Sequence, residues 1–261
     1  MAILEGFSEQ TFTHDGKTKT VFWRGSGPGV VIMHEVPGIT PQVAEFGRRV
    51  ADAGFTAVLP HLFGTPGKPF SGGYVLGQIA RLCISREFTL LARKQASPVT
   101  DWLRALCRHV HATCGGPGVG ALGMCLTGGF ALALMVDESV MAPVLSQPSL
   151  PFPVSAGHKA ALAISDGDLA RVKARTAVGC SLLGLRFTND PAVPPERFAT
   201  LRRELGDGFE AIEIDSSPGN PFAISQNAHS VLTNDFVDEV GHPTRAALDR
   251  VLALFNERLR E

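Results

Sequence analysis

The chain predicts an α/β fold, a mostly parallel doubly wound sheet covered by helices on both faces, and three observations carry this. Val30-Val31-Ile32-Met33 and Phe55-Thr56-Ala57-Val58-Leu59-Pro60 are continuous apolar runs, which suit strands buried on both sides better than strands with one wet face. Segments with helical apolar spacing lie between and after such runs, so strands and helices alternate. The 261 residues are enough to bury roughly 70% of the extended surface around one core. A single domain over 1–261 is therefore expected, with loop or lid elements near 61–96 and 216–241.

The elements follow in order. Phe12, Val21 and Phe22 around Asp15-Gly16-Lys17 read as an edge hairpin. Gly25-Ser26-Gly27-Pro28-Gly29 punctuates the chain before the Val30 strand. From Pro41 to Gly54 a helix is expected with Val43, Phe46 and Val50 on its apolar stripe, and the Phe55 strand completes a βαβ beginning. His61 to Tyr74 is rich in Gly and Pro and reads as a loop over the sheet, with weak patterning continuing toward Ala96. Ser97-Pro98 opens a helix in which Trp102, Leu106, Val110 and Cys114 recur every four residues and Leu103 widens the face; Cys107 and Cys114 are read as packing residues. Gly118 to Leu122 is a short buried strand, and Phe130 to Val136 an apolar helix. Val140 to Leu145, Leu182 to Leu185 and Ala211 to Ile214 are the remaining strand candidates. Pro194-Pro195-Glu196 leads into a helix at Arg197, a long loop runs from Pro218 to about His229, and a terminal helix follows Thr244 with Ala246, Leu248, Val251, Leu252 and Phe255 on its apolar side.

Composition narrows the function. A formal net charge of -1 gives no reason to expect nucleic acid or an anionic membrane as partner. No stretch is long and apolar enough for a membrane span, and the start Met1-Ala2-Ile3-Leu4 does not read as a secretory signal, so a cytoplasmic protein is expected. Cys83, Cys107, Cys114, Cys125 and Cys180 form no C-x-x-C pair, which argues against a structural zinc or small redox motif; no metal or cofactor is expected.

The chemistry centres on Gly123-Met124-Cys125-Leu126-Thr127-Gly128-Gly129, where a strand turns sharply into a helix and small residues permit close approach. That bend suits a nucleophile elbow, which holds a reactive side chain at the top of a sheet. Packing as a small buried hydrophobe is the ordinary alternative for a cysteine. The order Cys125, Asp190, His229 resembles that of an α/β-hydrolase triad, with His229 as base and Asp190 holding its tautomer. Asp190 could instead cap a turn, and His229 could be a plain loop residue. Asp166 and Asp168 compete for the acid role but look more like caps of the helix at Leu169. Glu35 follows His34 at the end of a strongly buried strand, where a carboxylate near the elbow could control protonation of the cysteine, or could face solvent or an ion-pair partner. The backbone N–H groups of Val36 and Leu126 are the candidates for an oxyanion hole.

Four ordered segments carry a resemblance: Val31-Ile32-Met33-His34-Glu35-Val36-Pro37-Gly38, Gly123-Met124-Cys125-Leu126, Asn189-Asp190-Pro191-Ala192-Val193-Pro194-Pro195-Glu196, and Ala228-His229. Together they resemble the dienelactone hydrolase family, within the α/β-hydrolase superfamily, over most of the chain. The resemblance implies Cys125 as nucleophile, Asp190 and His229 as its triad partners, and Glu35 as a carboxylate that contacts the thiol at rest and is displaced by substrate. Arg86 resembles by position the arginine that receives a substrate carboxylate, and its planar guanidinium suits that contact. Pairing with Glu87 is its alternative. The sequence departs from the family at Thr127, where a glycine is usual, and at His61, where an acid is common; the loop before His229 is also longer. The Thr127 hydroxyl is expected either to alter the bend or to bond locally and cap the following helix.

The expected activity is cysteine-dependent hydrolysis of small activated esters or lactones, dienelactone-like substrates included, through an acyl-cysteine intermediate. The alternatives are acyl transfer on the same scaffold and a small-carboxylate binding or redox-sensing protein.

Overall fold

The computed structural model describes residues 4–84 and 98–260. Eight strands form one sheet: β1 (Ser8–His14), β2 (Lys17–Gly25), β3 (Gly29–Met33), β4 (Thr56–Pro60), β5 (Val119–Met124), β6 (Val140–Ser146), β7 (Leu182–Phe187) and β8 (Phe209–Ile214). Their order across the sheet is β1-β2-β4-β3-β5-β6-β7-β8. The hairpin partners β1 and β2 and the β2/β4 pair are antiparallel, and every later pair is parallel.

The continuous apolar run of β3 has its physical reason in the two layers around it. Val31 and Met33 join a core with Trp102, Leu103, Leu106 and Val110 of α3 (Pro98–Cys114). Val30 and Ile32 face the other way, into a core with Val43, Phe46 and Val50 of α1 (Pro41–Asp52) and Val251 and Phe255 of the terminal helix, Pro243–Leu259. Alternate side chains of one strand thus bury on opposite faces, leaving no polar position. Cys107 is fully buried and Cys114 packs partly buried against the same core, in keeping with a packing role.

The register places the site. β3 has β4 on one side and β5 on the other, so the crossover through α1 leaves in one direction and the next crossover in the other. Met33 pairs with Gly123, which brings the segments leaving β3 and β5 side by side at the carboxyl ends of the strands. Ligand crevices of doubly wound sheets form where the strand order diverges in this way.

Several boundaries differ from the sequence reading. The weakly patterned region contains α2 (Gly72–Ile84), whose periodicity is diluted by Gly72, Gly73 and Gly77. A short helix, α5 (Ala156–Ala160), also escaped the reading because it buries none of its residues. β7 ends at Phe187, close to the end expected near Thr188, since Arg186 and Phe187 keep pairing with Glu213 and Ile214. Gly184 is needed within it: a Cβ there would stand 2.7 Å from the Phe209 ring. The other helices are α4 (Gly128–Leu134), α6 (Asp166–Ala177), α7 (Pro195–Leu205) and the terminal α8. Among the described residues, no helix is long and apolar enough to cross a membrane.

Candidate active site

Cys125 opens a single 3-10 turn, Cys125–Thr127, between β5 and α4, with a backbone φ of 55°. A residue bearing a Cβ rarely adopts this left-handed conformation, which costs on the order of 1–3 kcal/mol and is found where surrounding packing enforces it. The enforcing contact is visible at Gly123, where a Cβ would lie 2.2 Å from the Thr127 carbonyl oxygen. The chain folds back over Gly123, and the Cys125 side chain projects into a cavity of about 470 Å³ that it lines together with Asp190 and His229.

Asp190 and His229 are directly paired. His229 Nδ1 lies 2.6 Å from Asp190 Oδ2, and because a carboxylate only accepts, Nδ1 carries the proton. The imidazole and the Cys125 thiol line the same cavity. Burial alone would push the His229 pKa down, but the Cys125 charge and the Asp190 carboxylate outweigh it and hold His229 well above the ordinary histidine range. Asp190 is itself fixed, accepting from the Ala192 amide at 2.9 Å, and the His229 backbone is clamped by Asp235, whose Oδ2 accepts from the His229 and Ser230 amides at 2.9 and 2.8 Å.

The two competing acids lie elsewhere. Asp168 is 3.1 Å from Arg104 Nη2, and its amide donates to the cap hydroxyl of Ser165 at the start of α6. Asp166 lines a separate groove of about 490 Å³ with Lys173 and Arg203.

Glu35 is where the structure departs most from expectation. Its carboxylate is fully buried and accepts from Ser230 Oγ at 2.7 Å, Gln147 Nε2 at 3.2 Å, Asn234 Nδ2 at 3.3 Å and the Thr233 hydroxyl. The expected contact with the thiol is replaced by this network, because the loop after His229 folds beneath its own imidazole and presents three donors to the carboxylate. The thiol takes a hydrogen bond from Ser149 Oγ at 3.3 Å instead. Burial raises the Glu35 pKa, opposed by the hydrogen bonds from Thr233 and Ser230. The neighbouring His34 is pushed down to about 3 by burial and is therefore neutral, donating Nδ1–H to the Glu35 carbonyl and accepting the Leu62 amide at 3.1 Å on Nε2.

Val36 and Leu126 both line the cavity, one beyond the end of β3 and one in the turn after Cys125. Thr127 ties these two segments together. Its hydroxyl accepts the Met124 amide at 2.9 Å and lies 2.8 Å from the Met33 carbonyl, so it bonds backward across the strand ends. It makes no side-chain bond that caps α4, which corrects that part of the expectation. Thr127→Val keeps the shape but leaves a buried amide and carbonyl without this partner. A loss of about 1–3 kcal/mol in unfolding free energy is expected, read as a lower midpoint in urea at unchanged slope.

Three features had no clear sequence signal. Ser149 reaches the thiol from a loop after β6. Gln147 reaches Glu35 from the same loop with a φ of 37°. Arg197 is buried under the acid loop, donating to the carbonyls of Pro148, Ala161, His158 and Pro151, and thereby holds the Ser149 loop against α7. Only Arg197 left a trace, as a cation in the first turn of α7, where the helix dipole favours acids. His61 donates to or accepts from no residue of this set; its Nε2 bonds the Gly64 carbonyl at 3.0 Å within the adjoining loop. Arg86 lies outside the described residues.

A model of the dienelactone hydrolase family matches residues 17–259. No curated protein sequence matches the chain. Among solved structures, a protein from Klebsiella pneumoniae subsp. pneumoniae, assigned provisionally as a dienelactone hydrolase, superposes with a TM-score of 0.64 at 15% identity, covering 96% of this chain and 98% of the other. A dienelactone hydrolase-like promiscuous phosphotriesterase from metagenomic libraries gives 0.61 at 18% identity over 97% and 98%. An α/β serine hydrolase without lid from Xanthomonas campestris gives 0.56 at 12% over 98% and 97%. At such identities the likeness to these structures is one of fold.

Proposed function

The chain belongs to the dienelactone hydrolase family and is an ester-hydrolysing enzyme, and on that premise we propose that it cleaves small activated esters or lactones through an acyl intermediate on Cys125. The observation that carries this reading is a thiol at a positive-φ elbow that shares one cavity with an imidazole oriented by Asp190.

In the proposed reaction His229 holds the proton of Cys125 while the thiolate attacks the ester carbonyl. The new S–C bond forms as the carbonyl π pair moves onto oxygen, which the Val36 and Leu126 amides would receive. Collapse breaks the C–O bond, and the proton on His229 passes to the departing alkoxide. Water then attacks the thioester, giving its proton to His229, and the C–S bond breaks to return the thiolate and release the acid. One water is consumed, and the site ends as it began. A thiolate leaves as readily as it attacks, so activated esters and lactones suit it better than unactivated amides. Asp190 keeps Nδ1 protonated, which leaves Nε2 for the thiol and the leaving group.

The test is to mix the protein with a p-nitrophenyl ester, quench in acid and weigh the intact chain. An added acyl mass that is absent from Cys125→Ala is expected, and product acid formed in ¹⁸O water should carry one label. Turnover without any adduct on Cys125 would overturn the mechanism. The acid assignment has its own check: Asp190→Asn should lower kcat by about 10²–10⁴-fold by favouring the wrong imidazole tautomer. Asp166→Asn, on the separate groove, should leave kcat unchanged, and the reverse result would move the acid role to Asp166.

A further inference from the structure

Resting on the ester-hydrolysing reading, we infer that the cavity takes an uncharged ester with an apolar chain of several carbons and discriminates against carboxylate-bearing substrates. The cavity lining has two characters: beside the polar Cys125, Ser149, Asp190 and His229 and the loop residues that follow the base, it carries the apolar side chains of Val36, Phe70, Val75, Ile79, Leu126 and Phe152. Val75 and Ile79 sit one turn apart on α2 and present a continuous apolar strip. Phe70 and Phe152 remain 47% and 37% exposed, large apolar side chains left partly in water where a ligand chain could cover them. A volume of about 470 Å³ is that of a small-molecule site and accommodates an acyl or alkyl chain beyond the reacting carbonyl.

The charges point the same way. The ionisable side chains in the described wall, apart from Cys125 and His229, are Asp190 and Asp235, both carboxylates. No Lys or Arg is among the described lining residues. The nearby Arg197 guanidinium is committed to backbone carbonyls. The His229 ring is already engaged by Asp190 through Nδ1. A substrate carboxylate entering here would surrender its water, would find no cationic partner among the described lining residues and would meet two like charges. An apolar chain would gain by covering the strip and the two phenylalanines.

Two measurements separate this inference from the reading beneath it. On the parent protein, kcat/KM is taken for p-nitrophenyl acetate, butyrate and hexanoate, and for the shape-matched pair p-nitrophenyl 4-methylpentanoate and p-nitrophenyl hydrogen succinate. The expected result is a rise of about two- to fourfold per added methylene, and an advantage of at least about tenfold for 4-methylpentanoate over the charged ester. On Cys125→Ala, equilibrium binding of the same two esters is compared. Tighter binding of 4-methylpentanoate sustains the inference even if the parent turns neither ester over, an outcome that would defeat the proposed function alone. Equal or tighter binding of the succinate ester, or its equal or faster hydrolysis, overturns the inference. If Arg86→Ala then removed only the activity toward the succinate ester, Arg86 would be the carboxylate receptor.

Discussion

Replacing Cys125 by alanine is expected to lower turnover of an activated ester by about 10⁴-fold or more, while unfolding stability changes by less than about 1 kcal/mol. The loss is large because proton transfer, oxyanion stabilisation and orientation all act on a bond that only the sulfur forms; with no nucleophile, the rest of the site can assist only a direct attack by water. The stability change is small because alanine keeps the Cβ, and so keeps the strain of φ 55°, losing only weak sulfur hydrogen bonds such as that from Ser149 at 3.3 Å. Cys125→Gly isolates the strain. A glycine accepts the left-handed conformation freely, and against its higher unfolded-state entropy it should be more stable than Cys125→Ala by about 0.5–1 kcal/mol. Denaturant melts of the three proteins, with p-nitrophenyl ester kinetics, check both statements. Undiminished turnover in Cys125→Ala would remove the thiol from the reaction.

The sharp bend at Cys125 was legible because its cause is local, small residues on either side of a strand-to-helix turn, whereas its left-handed backbone shows only in the structure. The sheet was legible for a similar reason, since residues such as Val30 to Met33 declare burial on both faces within four positions. That Asp190 and His229 share the cavity with Cys125 followed from their order at strand ends, a property of topology that spacing alone reflects. The partners of Glu35 had no such signature. Gln147 is 112 residues away and Ser230 195 residues away, and each is an ordinary polar loop residue until the fold brings them under one carboxylate. Thr127 was visible as an oddity in the elbow, but the direction of its hydrogen bond depends on where β3 ends beside β5, which only the register of Met33 against Gly123 decides. α2 stayed hidden because three glycines weaken its pattern while its packing against the cavity compensates.

Glu35→Ala is expected to be among the most destabilising substitutions in this protein, and the reason bears on what the carboxylate does. Removing it leaves the Ser230 and Thr233 hydroxyls and the Gln147 and Asn234 amides without their common acceptor in a buried setting. Each stranded donor costs about 1–3 kcal/mol, offset by relief of the burial cost of the charge and by water entering the space, so a net loss of about 3 kcal/mol is expected. In a chain of this size that corresponds to a fall of roughly 6–12 °C in Tm. The sign of the pH dependence follows from the raised pKa. Stabilisation linked to Glu35 protonation is full below its ordinary value of 4.5 and is lost as pH rises through the higher folded value, so the stability of Glu35→Gln relative to the parent should improve as pH increases from about 4.5.

The same network makes Glu35 a positioning residue for the base loop in the proposed mechanism, because it holds Ser230, the residue next to His229. Glu35→Ala should accordingly lower kcat by about 10–100-fold with little change in KM, as the imidazole loses its fixed placement. Thiol alkylation distinguishes this from direct action on the cysteine. The pH profile of Cys125 alkylation by iodoacetamide should move strongly in His229→Gln, where the proposed base is gone, and far less in Glu35→Gln, which keeps the volume and part of the hydrogen bonding. A profile displaced as far by Glu35→Gln as by His229→Gln would mean that the carboxylate acts on the thiol itself, and the anchoring role would fall.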